Sequence, residues 1–373
     1  MSKQAGCPVI DADGHVLELP TIWPEYLEPA FRERAPRFGM DEHGRPGIRV
    51  GDVWTGRLGV ELTKATTGGI GRAALAGGWD PKQRLADMDA EGIDAAVLFP
   101  SMAFFFCETS DLALDAALCR AYNDWLADYC RPAPDRLFGV TLLPLRDVAL
   151  SVRELERATE RHGFRGAFFR PNPYAGRPIH DPAYEPLWAC AESLGVAVTV
   201  HEGLSDSLPT LARERFENPL ALHALSHPFE QMAAVSGLLM SGAIERHPRL
   251  RFAFLEAGCG WLPYLLDRLD GHYETWRSSF PELQLRPSES FTRQCFVSCE
   301  PDEEETAHVV ERFGDGCVAW ASDYPHPDAR FPGVLETTLE TLSELPPDAR
   351  ARVLGGNASR LFGIGIPAST AGG

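Results

Sequence analysis

Ile93-Asp94-Ala95-Ala96-Val97-Leu98-Phe99-Pro100 is a run that stays apolar on every position after Asp94 and closes on a proline. A strand covered by helices on both faces has no wet side, so it reads this way rather than as an alternation. Outward from this stretch the same kind of run recurs with helical segments between. Leu112 to Tyr129 reads as helix, Leu137 to Pro144 as strand, Val148 to Arg161 as helix and Gly166 to Arg170 as strand. Tyr184 to Leu194 is then helical, Val196 to His201 a strand, Ala221 to Glu245 a long helical region and Arg251 to Glu256 a strand. Trp261 to Trp276 is helical, Cys295 to Cys299 a short strand, Glu303 to Phe313 a helix and Val318 to Asp323 the last strand. Upstream, Asp80-Pro81 has the form of a capped helix start, and Pro8-Val9-Ile10 ends another strand. Eight strands separated by helices predict an α/β fold, a (β/α)8 barrel, in one domain over residues 1–373. An open doubly wound sheet is the alternative, but no Gly-x-Gly-x-x-Gly turn follows the first strand.

The length of 373 residues suits a barrel with an insertion. Residues 19–79, rich in Pro, Gly, Trp and charge and without a period, read as a long insertion after strand one that covers the barrel mouth. Lys and Arg total 35 against 53 Asp and Glu, a formal charge of −18. A field of that sign repels nucleic-acid phosphates and anionic membranes, leaving a small-molecule substrate or protein partners, with a homodimer left open. The nine cysteines are odd in number, scattered and without a Cys-x-x-Cys pair, which argues for reduced thiols. No basic-then-apolar leader and no membrane-length apolar run are read, so the expected location is cytoplasmic.

In a barrel the C-terminal strand ends share one mouth, and here they carry residues unsuited to packing. Strand one supplies Asp13 and His15, strand four Arg170, strand five His201 and Glu202, strand six Glu256, and strand eight Asp323 with His326 beyond it. Asp11, Asp13 and His15 alternate and would face one side. Buried carboxylates without a cation cost several kcal/mol each, so a divalent metal is the economical explanation. The metal set is read as Asp13, His15, His201, Glu256, Asp323 and His326. Arg170 is read as a bidentate clamp for a substrate carboxylate. Phe105, in the run Phe104-Phe105-Phe106, and Tyr324 are read with Trp54 and Trp79 as walls of an apolar cavity. His227, in His227-Pro228-Phe229-Glu230 at the start of the long helix, is read as bordering the pocket, and Asp11 as buried support.

Asp13-x-His15, Val200-His201, Phe254-Leu255-Glu256-Ala257-Gly258, Ala321-Ser322-Asp323-Tyr324-Pro325 and Gly355-Gly356-Asn357-Ala358-Ser359-Arg360-Leu361-Phe362 together resemble the amidohydrolase-related family. That family includes aminocarboxymuconate semialdehyde decarboxylase and the resorcylate decarboxylases, and the resemblance covers nearly the whole chain apart from residues 19–79. It implies a distorted (β/α)8 barrel with a metal at its mouth, His15, His201 and Asp323 matching family ligands. Asp13 stands where the decarboxylases have His or Glu, and Glu256 where well-known members carry a proton-transferring His. Two extra carboxylates leave the cation open among zinc, manganese and iron. The reading put first is a metal-dependent enzyme that decarboxylates or hydrolyses a small carboxylic acid, with Glu256, Asp323 and Arg170 catalytic. The alternative is a non-haem di-iron monooxygenase acting on a hydrophobic, terpenoid-like substrate, its two irons held by the same residues with Glu18 or His326.

Overall fold

The computed structural model describes residues 5–44, 46–55, 76–103, 105, 109–203, 208–326 and 329–365. In chain order the elements begin with β1 (Ile10–His15), α1 (Ile22–Tyr26), β2 (Arg37–Met40), β3 (Pro46–Val50) and β4 (Val53–Thr55). There follow α2 (Pro81–Glu91), β5 (Ala95–Phe99), α3 (Leu112–Cys130), β6 (Leu137–Thr141), α4 (Val148–His162), β7 (Gly166–Phe169), α5 (Glu185–Leu194) and β8 (Ala197–His201). The second half runs α6 (Pro219–Met240), α7 (Ala243–Arg246), β9 (Phe252–Leu255), α8 (Leu262–Trp276), α9 (Pro287–Gln294), β10 (Cys295–Cys299), α10 (Thr306–Phe313) and β11 (Val318–Trp320). Three helices, α11 (Val334–Thr341), α12 (Pro347–Ala351) and α13 (Asn357–Phe362), close the described chain.

The eight strands β1, β5, β6, β7, β8, β9, β10 and β11 form one sheet in that order. The sheet closes on itself where His15 N donates to Tyr324 O (2.7 Å) and Asp323 N to Asp13 O (3.0 Å). This is the expected (β/α)8 barrel, and its first and last strands are joined through the residues expected at the site. β5, β8, β9 and β10 are buried along their whole length, which is why their sequences show no alternation. The helices end where the local chemistry says they should. Asp80 caps α2 through Lys82 N, and Gly92 terminates it in the left-handed region (φ 83°), where a Cβ would clash. α4 buries Ser151, Glu154, Leu155 and Ala158, one stripe at helical spacing.

Residues 19–55 are not the aperiodic coil that their sequence suggests. They hold α1, a 3-10 turn and a three-stranded antiparallel sheet, β2-β3-β4. The strands are three to five residues long and β2 is exposed throughout, so no buried face imposes a pattern on it. Polar contacts fasten this segment to α3: Tyr26 Oη donates to Asp128 (2.9 Å), Arg120 Nε to Glu28 (3.0 Å), and Arg34 pairs with Asp111 (2.8 Å). Within the expected insertion, residues 56–75 lie outside the described residues, as do Phe104 and Phe106 of the aromatic run. All eight described cysteines are free thiols. Among the described residues no helix is long and apolar enough to cross a membrane.

Candidate metal centre

The strand ends deliver two imidazoles and three carboxylates to one point. His15 Nε2 lies 3.1 Å from His201 Nε2, 3.5 Å from Asp13 Oδ1 and 3.4 Å from Asp323 Oδ1. His201 Nε2 lies 2.7 Å from Glu256 Oε2 and 3.5 Å from Asp13 Oδ2. The other ring nitrogens are committed. His15 Nδ1 donates to Pro100 O (3.0 Å) and His201 Nδ1 to Glu202 O (2.7 Å), which aims both Nε2 atoms at the centre. At 3.1 Å the two Nε2 atoms need a positive charge beside them, which a proton on His201 supplies in the metal-free chain and a metal ion would supply in its place. A cation about 2.1 Å from each donor separates neighbouring donors by about 3.0–3.4 Å, close to the spacings here. Asp13 Oδ1, buried and accepting no hydrogen bond, completes the fit. The donor set suits a divalent metal, and its oxygen content is compatible with manganese or iron as well as zinc.

Electrostatics point the same way. Burial pushes Asp13 up to about 6 despite the pull of His201. Burial drives His15 well below its ordinary value, and His326 and His201 push it further down, so that ring stays neutral. Burial also opposes charge on His201, yet Glu256 and Asp13 outweigh it and hold it well above its usual value. Without a metal the cluster therefore gathers a proton between its carboxylates. Glu256 (φ 53°) and Asp323 (φ 54°) both hold left-handed backbone that a non-glycine residue rarely adopts. Strain of this kind is tolerated where a site requires it. Their side chains keep 18% and 16% of their surface open to the mouth.

His326 reaches the cluster and stacks on His15 (4.0 Å between centroids). Its Nδ1 lies 2.6 Å from Asp323 Oδ1, the oxygen that faces His15, and its Nε2 2.9 Å from Ser101 Oγ; it falls with His15, Glu256 and Asp323 in one group of donors within 4.8 Å of one another. Asp11 is a correction to simple alternation. A register irregularity between Asp11 and Gly14 turns Asp11 away from the mouth, where it accepts from Ser322 N (2.9 Å) and Ser322 Oγ (2.5 Å). Beside it lies Arg84, which sequence reading passed over. This guanidinium is 1% exposed, sits 4.0 Å from Asp11 Oδ2, and donates to His15 O (2.9 Å) and Tyr324 O (3.2 Å), bracing both ligand-bearing chain ends. A Cβ on Gly14 would fall 2.3 Å from Arg84 Nη2, so only glycine admits the brace. Glu18, considered for a second iron, is instead taken up by Ser101, Met102 and Ala103 N–H groups (3.1, 2.8 and 3.3 Å).

A cavity of about 660 Å³ opens over the cluster, and its described lining includes His223, His227, Glu256, Glu300, Asp323 and Arg330. Arg170, Phe105 and Tyr324, expected to bind substrate, are not in that lining. Arg170 is 1% exposed, 3.6 Å from Glu202, bonded to Gly203 O and set over the ring of Phe105 (5.9 Å). A dry guanidinium needs an anion, and its neighbour on the next strand supplies one. Tyr324 turns away, its ring against Phe331 (4.6 Å) and Arg84 (4.7 Å) and its hydroxyl on Asp87. His227 does border the cavity, but it lies well inside α6 rather than at its start. Glu300 and Glu303 were also missed. Glu303 accepts from Cys259 N and Gly260 N (2.8 Å each), fixing the turn after Glu256.

The sequence matches the amidohydrolase family profile over residues 10–364. The chain belongs to the amidohydrolase family. It is 26% identical over 294 residues to 2-amino-3-carboxymuconate-6-semialdehyde decarboxylase of Dictyostelium discoideum, covering 77% of each chain. It is 32% identical over 200 residues to gamma-resorcylate decarboxylase of Rhizobium sp. (strain MTP-10005), a match spanning 52% of this chain and 59% of that enzyme. In fold it resembles a dihydroxybenzoic acid decarboxylase from Polaromonas sp. JS666, solved with bound manganese and the inhibitor 2-nitroresorcinol. That likeness has a TM-score of 0.66 at 19% identity, over 96% of this chain and 97% of the other. The resemblance read from Asp13-x-His15 and the later motifs is thereby borne out.

Proposed function

We propose that this amidohydrolase is a divalent-metal-dependent decarboxylase of a small, hydroxylated or unsaturated carboxylic acid. The observation that carries the reading is the pair of Nε2 atoms at 3.1 Å, ringed by Asp13, Glu256 and Asp323, in a chain whose relatives include several decarboxylases. Asp13, His15, His201, Glu256 and Asp323 would hold the cation, manganese being the species found in the Polaromonas structure. When bound, the metal supplies Lewis-acid stabilisation of negative charge on substrate oxygens. The close pairing of Asp323 with His326 (2.6 Å) then gives the chain a place to hold the proton that must reach carbon as carbon dioxide leaves. Glu256, with one oxygen on His201, is assigned to the cation rather than to proton transfer. Residues 19–79 are assigned to closing the mouth.

The test supplies the purified protein with manganese and a panel of dihydroxybenzoic, carboxyvanillic and carboxymuconic acids, and measures carbon dioxide release. Release from one class, lost in Asp323→Asn, is the expected result. A metal-loaded protein that liberates carbon dioxide from none of them overturns the proposal.

A further inference from the structure

We infer that Glu300 determines which acids the site accepts: it takes a hydrogen bond from an amino or hydroxyl group at the end of the substrate remote from the departing carboxylate, and it turns away acids that carry a second carboxylate there. The inference rests on the proposed reading of the metal site and deepens it. Glu300 follows β10, the strand between β9 and β11, so it stands between the chain ends that carry Glu256 and Asp323. Ser298 Oγ accepts from Glu256 N (3.2 Å), which ties the exit of β10 to that of β9. Glu300 N donates to Glu303 Oε2 (3.2 Å), which sets the turn that follows.

Five carboxylates stand in the described lining of the cavity, and four already have partners. Glu256 lies against His201 (2.7 Å) and Asp323 against His326 (2.6 Å), Glu303 accepts from Cys259 N and Gly260 N, and Asp302 pairs with Arg330. The Glu300 side chain makes no hydrogen bond or ion pair among the described residues, and it belongs to none of their donor groups close enough to share a cation. It is half-buried in the wall of the cavity, so its carboxylate meets whatever fills that space. An acceptor withdrawn from water without a donor is costly, and a substrate N–H or O–H is the group that satisfies it.

The charges nearby give the same selection. Arg330, the one guanidinium in the described lining, is taken by Asp302. The rings of His223 and His227 lie together (4.3 Å) on the side of Glu256, with His227 Nε2 3.6 Å from Glu256 Oε1. A second substrate carboxylate arriving at Glu300 would therefore meet a like charge with no cation of the chain beside it. In the metal-free chain burial, and then the like charges of Asp323, Glu303, Glu256 and Asp13, push the Glu300 carboxyl well above its ordinary range. A donor from the substrate, like a cation in the neighbouring cluster, favours the ionised form.

The test titrates the full chain, loaded with Mn²⁺, with benzoate and with its meta- and para-substituted hydroxy, amino and carboxylate derivatives, reading dissociation constants by calorimetry and manganese content by elemental analysis. Wild type should bind the best hydroxy or amino acid about tenfold more tightly than benzoate, and the dicarboxylates about tenfold more weakly. Glu300→Leu should bring all of them close to benzoate with manganese content unchanged. Glu300→Gln, which keeps an acceptor and loses the charge, should retain the preference for donors and admit the dicarboxylates. Wild type binding dicarboxylates as tightly as hydroxy acids, or binding none of the panel, overturns the inference. So does a Glu300→Leu chain that keeps the wild-type order or loses its manganese. Absence of carbon dioxide release with the expected order of binding intact overturns the proposed decarboxylation and leaves the assignment of Glu300 standing.

Discussion

Asp11 and Asp13 stand two residues apart on β1, equally buried, and lead opposite lives. Asp11 has Arg84, Ser322 N–H and the Ser322 hydroxyl around it, although burial still holds its pKa above the ordinary carboxylate range. Asp13 has an oxygen without a hydrogen bond and no guanidinium beside it. The pattern repeats one layer on, where Glu202 is matched by Arg170 while Glu256 faces histidines. The barrel neutralises its structural carboxylates with its own guanidinium groups and leaves the others for an imported cation. Buried charge alone does not mark a site; buried charge lacking a fixed partner does.

That contrast can be broken by four measurements. Asp323→Asn keeps a side chain tolerant of the left-handed backbone, so the metal-free fold should melt within a few degrees of wild type. Decarboxylation should nevertheless fall by about 10³-fold or more with loss of the metal, read by turnover and elemental analysis. Full metal occupancy in that variant would break the assignment.

Arg84→Met leaves Asp11 buried and unmatched, and should cost about 3–5 kcal/mol of stability in chemical denaturation. A cost under 1 kcal/mol would mean that Ser322 alone satisfies Asp11 and that the contrast with Asp13 is weaker than drawn.

Asp13→Asn should have the opposite sign in metal-free protein. The folded Asp13 pKa, raised to about 6 from 3.8, makes the protonated form the favoured one. Its contribution to stability is therefore full below pH 3.8 and is lost as pH rises through about 6. At pH 7 the amide should stabilise the metal-free chain by about 1–3 kcal/mol and flatten the pH dependence across that window. Adding Mn²⁺ at about a hundred times its dissociation constant should stabilise wild type by about 2.7 kcal/mol and this variant by much less. Melting curves with and without metal decide the matter.

The smallest effect is expected where charges are wet. Arg120→Ala, which cuts the exposed tie from α3 to Glu28, should change stability by less than about 1 kcal/mol. A larger loss would show that the α1 segment is held by that ion pair rather than by packing.

Much of this molecule is legible along the chain. The run Ile93–Pro100, the capped helix at Asp80-Pro81 and the acids and imidazoles at strand ends are local properties, and each is found where its residues imply. The short sheet β2-β3-β4 was hidden because its first strand buries nothing and so carries no alternation. Arg84 was hidden because a single arginine among helix residues looks like solvated surface. Its burial depends on Gly14 leaving room for it, on two carbonyl acceptors 69 and 240 positions away, and on the Asp11 carboxylate across from it.

Sequence alone determined the alternation of strands and helices and the kind of residue at each strand end, because periodicity and residue type are carried by neighbours. Only the closed barrel decided which charge meets which partner. Asp11 goes to Arg84, Arg170 to Glu202, Tyr324 to Asp87, and His223 and His227 come over Glu256. Those choices turn on distances of a few ångströms between strands and helices remote in the chain. Charge interactions change steeply over such distances when water is excluded, and no local pattern records them.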